Sequence, residues 1–142
     1  MEVSLVRRRL KQAIDAAREQ SQQKRLENTA GERAYQTFIE TVATLVMRQL
    51  ANTLKIEGYA FTVFTPGGGL RLASDRGRDD YIEFLLDLSS HPPQVMGHIS
   101  HARGSRTLEE ERPVKHGVGP EELSDEDVLT FLLEALQPWL AR

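Results

Sequence analysis

The stretch 58–112 constrains the fold more than any other part of the chain. It is a succession of short, extended-looking segments parted by turns. Residues 59–65 include Tyr59, Phe61, Val63 and Phe64, aromatic and β-branched types that suit a pleated, half-buried surface. Pro66 followed by Gly67, Gly68 and Gly69 is turn chemistry. Residues 70–74 then alternate apolar and polar, the period of a strand with one wet face. A second turn surrounds Gly77. Residues 80–88 alternate again, with Ile82, Phe84, Leu86 and Leu88 on one side and Tyr81, Glu83, Leu85 and Asp87 on the other. Residues 90–94, with Pro92 and Pro93, make the next turn, and 95–101 reads as a fourth strand. Residues 106–112 are a weaker fifth candidate. Their acidic run Glu109, Glu110, Glu111 and the following Pro113 suit an edge, where charge and proline block unwanted pairing.

Parallel neighbours need a crossover of a dozen residues or more, and these connections are much shorter, so the strands are expected to be antiparallel and in chain order. One face should carry Leu70, Leu72, Ile82, Phe84, Leu86, Val95 and Ile99, and the other Arg71, Tyr81, Glu83, Asp87, His98 and Ser100. The apolar face requires a cover.

The flanking segments supply it. From Val3 to about Asn28 the pattern is helical, and Val3, Val6, Leu10, Ala13 and Ala17 recur three and four apart, as in a coiled-coil seam. The seam fades into Gln20, Ser21, Gln22, Gln23 and Lys24. Residues 28–31 read as a break, with Thr29 and Glu32 in the form of a capping box. A second helix is expected from about Glu32 to Ile56, with a wide stripe of Tyr35, Phe38, Ile39, Val42, Leu45, Val46, Leu50 and Leu54 and Gly58 as its terminator. After a loop over 114–122, Ser124 caps a third helix whose first turn holds Asp125, Glu126 and Asp127, and Pro138 ends or bends it. Trp139 is expected at the core edge. The predicted class is α+β: an antiparallel meander of four to five strands, two N-terminal helices and one C-terminal helix, the helices covering one sheet face. The 142 residues make a single domain, with 1–30 a helix that docks on the surface by its narrow stripe or else protrudes or is exchanged, and 32–142 the globular body.

Composition narrows the function classes. There is no cysteine, which removes thiol catalysis and cysteine-based metal sites. No segment has the roughly 18 apolar residues of a membrane span. The basic cluster Arg7, Arg8, Arg9 follows the apolar residues, the reverse of a secretory signal, and a cytoplasmic location is expected. The net charge of -3 is uneven: residues 1–33 hold eight basic and five acidic side chains, and the remainder ten and sixteen. An acidic body does not suit nucleic acid, which needs a basic face to displace counterions.

No catalytic residue, metal ligand or cofactor is assigned. Residues 65–71 are glycine-rich but lack the lysine and hydroxyl ending of a phosphate loop and lead into a strand. His98 and His101, three apart on a strand, fall on opposite faces and cannot share a metal. The carboxylates Asp75, Asp79, Asp80, Glu83, Asp87 and Glu109 to Glu111 read as a solvated surface. Two constellations remain. Arg71, Arg76, Arg78, His98, Ser100 and Arg103, with Tyr81 and Arg106 nearby, form a candidate anion or small-ligand site, since arginine forks suit carboxylate and phosphate. Val3, Val6 and Leu10 on the first helix, with Tyr81, Leu85 and Met96 on the wet face, form candidate self-association surfaces. The leading expectation is a non-enzymatic interaction or adaptor protein that forms a homodimer, with another protein as a further candidate partner. A regulatory module binding an anion on the arginine and histidine face is the alternative, and an enzyme of unidentified class comes third.

Overall fold

The computed structural model describes residues 1–141. Five strands, β1 (Phe61–Phe64), β2 (Leu70–Ser74), β3 (Tyr81–Asp87), β4 (Gln94–Arg103) and β5 (Arg106–Pro113), form one sheet in the order β1-β2-β3-β4-β5. Every neighbouring pair is antiparallel, as the short turns require. The weakest candidate, β5, is therefore a full edge strand, and its Glu109, Glu110 and Glu111 lie on the exposed margin. The expected inner face is the observed one: Leu70, Leu72, Ile82, Phe84, Val95 and Ile99 are buried, and Leu86 is partly buried against them.

The cover begins with a helical rod. Helix α1 (Val3–Phe38) continues through a π-helical turn (Ile39–Ala43) into α2 (Thr44–Ile56). Two N-terminal helices are thus present, but their junction lies at the π-turn and not at 28–31. The backbone stays helical through Thr29, whose hydroxyl donates to the Arg25 carbonyl one turn back instead of capping a new helix. Gly31, read from sequence as part of a break, is a close-packing residue. It is buried in mid-helix, and a Cβ there would lie 2.8 Å from Pro93 Cγ in the β3–β4 turn. The π-turn absorbs one extra residue, and the Thr44 hydroxyl donates to the Ile39 carbonyl across it at 2.6 Å. Met47, Ala51 and Leu54 thereby stay on the face that Tyr35 and Phe38 begin. Gly58, with φ of 92°, ends α2; the Tyr59 amide reaches the Leu54 carbonyl at 2.8 Å, a glycine-type C-terminal motif.

Beyond the sheet, the loop tightens into a 3-10 turn at Pro120–Glu122, and α3 (Asp125–Ala135) and α4 (Gln137–Leu140) complete the cover. Ser124 and Asp127 form a reciprocal capping box at the start of α3. Trp139 seals the core edge, buried and edge-on to Phe61 at 5.8 Å and to His101 at 5.9 Å.

Gly97 sets how closely α3 approaches the sheet. It is buried in β4, and a Cβ at this position would intrude on the ring of Phe131, itself buried and 5.8 Å from Phe84. Gly97→Ala is expected to destabilise the fold by about 1–3 kcal/mol through overpacking. A urea titration of the variant against the parent protein checks this, and an unchanged midpoint would contradict the packing described.

Candidate functional site

Three surfaces carry side chains that could meet a partner. The first is the arm. Every residue from 1 to 26 is exposed, while burial of α1 starts only near Glu27 and Asn28. The arm is about 36 Å long at 1.5 Å per residue. Val6 is 48% and Leu10 58% exposed, and Val3 and Ile14 are also uncovered. The arm leaves the body beside the β3–β4 turn, where the His91 ring meets the Glu27 carboxylate at 3.1 Å.

The second surface is the sheet face opposite the helices. Here Arg71 donates to Glu83 at 2.8 Å, and its guanidinium lies 3.9 Å from the centre of the Tyr81 ring. The His98 ring stacks on the same tyrosine at 5.9 Å and meets Glu109 at 3.4 Å. The structure thus brings Arg71, Tyr81 and His98 together. It does not bring the other arginines to them: Arg76 and Arg78 sit in the β2–β3 turn, and Arg103 and Arg106 flank the β4–β5 turn, all at one end of the sheet. Ser100 is on the expected face but is buried, its hydroxyl donating to the Asp79 carbonyl at 2.7 Å. Asp80, expected among the solvated carboxylates, is buried as well and accepts from the Ala102 amide at 2.8 Å. Both residues fasten the turn before β3 onto β4. Leu85 and Met96 are direct cross-strand partners, and Pro113 follows Met96 in the same row. Tyr81 is separated from them by Glu83.

The third surface could not be read from sequence. Val46, Leu50 and Leu129 form the apolar floor of a cleft of about 440 Å³ between α2 and α3, with Gln49 and Thr53 on one wall and Asp125 and Glu126 on the other. The apolar stripe of α2 was legible, but the spacing along one helix does not say which flank its neighbour will leave open. His98 and His101 do fall on opposite faces, the former against Tyr81 and the latter against Trp139. Among the described residues no helix is long and apolar enough to cross a membrane, and no group of three or more metal-ligating side chains converges.

No known protein family, curated protein or solved structure matches the chain.

Beneath this face, the Tyr35 hydroxyl donates to the Phe84 carbonyl at 3.2 Å. Burial, and secondarily the Glu83 carboxylate, pushes the phenol from its ordinary 10.0 up to about 12. An unfolded chain ionises at the lower value, so this contribution to stability is complete below about pH 10 and is lost as pH rises toward 12. The loss should be on the order of 2–3 kcal/mol. In Tyr35→Phe that alkaline decline should flatten, and stability measured by urea unfolding from pH 9 to 12 checks it.

Proposed function

We propose that this chain is a non-enzymatic interaction protein of the adaptor kind, and that it self-associates as a dimer through its N-terminal arm. The supporting observation is the arm itself. An isolated helix of this length is marginal in water, because nucleation is costly and most helical stability comes from packing an apolar face. Here the seam of Val3, Val6, Leu10, Ala13 and Ala17 meets nothing in its own chain. Covering the seam with a second subunit removes apolar surface from water at about 25 cal/mol per Å². Sedimentation equilibrium at about 10–50 μM, a range chosen to sit well above dissociation constants of order 1 μM, is expected to give twice the mass of the chain. In Val6→Arg/Leu10→Arg the dimer should weaken at least tenfold with the body still folded, since an exposed substitution costs a monomer within about 0.5 kcal/mol. A strict monomer for the parent protein would count against the reading.

A small-ligand or anion-binding role has one observation in its favour: the Arg71 guanidinium and the His98 ring both pack on Tyr81 on the sheet face opposite the helices. Glu83 already engages Arg71 and Glu109 already meets His98, so an anion has to displace a carboxylate. A thermal-shift panel of phosphates and carboxylates should raise the melting temperature in the parent protein and not in Arg71→Ala. A flat response removes this role.

A further inference from the structure

The long helix bears a groove as well as an arm. Three clefts lie end to end along one of its flanks, of about 230, 370 and 440 Å³. The helix wall advances from Ala30 and Ala34 through Thr37 and Val42 to Val46 and Thr53. The facing wall advances in step, from Pro120 and Glu121 through Leu123 to Asp125 and Leu129. Residues 30–53 span about 36 Å, the length of the arm.

We propose that this groove receives the arm of a second copy of the chain, in an antiparallel and reciprocal dimer. The inference rests on the self-association proposed above and assigns its geometry. The arm cannot fill its own groove, because it is continuous with the helix that forms the groove wall and runs away from the body. A second copy supplies an arm of the right length. Its charge fits on balance: the arm carries Arg7, Arg8, Arg9, Lys11 and Arg18 against Asp15 and Glu19, and the groove rim carries Glu121, Asp125 and Glu126 against Arg33.

Symmetry together with full overlap of the two rods sets the register. A two-fold axis makes the interface self-complementary, so if residue i of one rod meets j of the other, j also meets i. The helical rod runs from Val3 to Ile56, and its midpoint falls between Thr29 and Ala30, where the arm ends and the body begins. Antiparallel pairing about that point sets Val3 beside Ile56, Val6 beside Thr53, Leu10 beside Gln49, Ala13 beside Val46 and Ala17 beside Val42. Val6, Leu10, Ala13 and Ala17 thus fall beside groove-lining residues of α2 or its extension, and Val3 falls beside the exposed Ile56 at the groove's end. Ile14 likewise falls beside Leu45. Ile56, Leu45 and Leu129 are all exposed in a single chain, at 83%, 56% and 40%, and this placement gives each an apolar neighbour or roof.

The absence of native cysteine makes the test clean. Val6→Cys/Thr53→Cys, oxidised in the full-length chain, is expected to give a disulfide-linked dimer on a non-reducing gel. Val6→Cys alone should not, because the two Val6 residues would lie about 70 Å apart. Leu129→Arg, which leaves the arm untouched, should weaken the parent dimer at least tenfold. If Val6→Cys alone cross-links, the arms pair with each other; self-association stands and the groove placement is overturned. A dimer by sedimentation in which neither variant cross-links also overturns the placement. A monomer overturns both and leaves the groove without the proposed occupant.

Discussion

A five-stranded sheet with one apolar face cannot stand alone, and the covering of that face is the constraint on which the molecule depends. Leu70, Leu72, Ile82, Phe84 and Val95 are almost wholly removed from water, and each is reached by alternation along its strand. Their cover comes from both ends of the chain: Phe38, Met47 and Leu54 from the N-terminal rod, and Val128, Phe131, Leu132 and Leu136 from the C-terminal helices. Two glycines set the spacing. Gly31 lets Pro93 reach the rod, and Gly97 lets Phe131 reach the sheet. The π-turn serves the same end, since without its extra residue the stripe of α2 would rotate away from the core begun by Tyr35.

The arm follows from this cover. Because α1 and α2 are one rod through the π-turn, the docked half fixes the direction of the undocked half. A break at 28–31 would have allowed the first helix to fold back on its own body. Continuity forbids it, and the seam of Val3, Val6 and Leu10 is left exposed. The polar run 20–24 lies between the seam and the body.

The opposite sheet face is held differently. Its polar groups are matched locally, Arg71 with Glu83 and His98 with Glu109, around the Tyr81 ring. These pairs keep the face wet and free of long apolar strips. The short row of Leu85, Met96 and Pro113 is the exception.

The strand alternation, the turn residues, the N-cap at Ser124 and the glycine end of α2 were all legible in the sequence. These depend on neighbours within a few residues, and local periodicity records them. Gly31 was misread because a helix breaker and a close-packing helical glycine share one letter; the difference is Pro93, far along the chain. Ser100 and Asp80 were placed with the wet residues because polarity does not reveal a backbone partner such as Asp79 or Ala102. The candidate arginines scattered for a like reason, as register and turn positions set which of them meet. By itself, then, the sequence determined the strands, their order, the oily face and the helical stripes. The tertiary structure alone decided that the rod is unbroken, which stripe remains bare and where a groove opens, because those depend on contacts between segments distant in the chain.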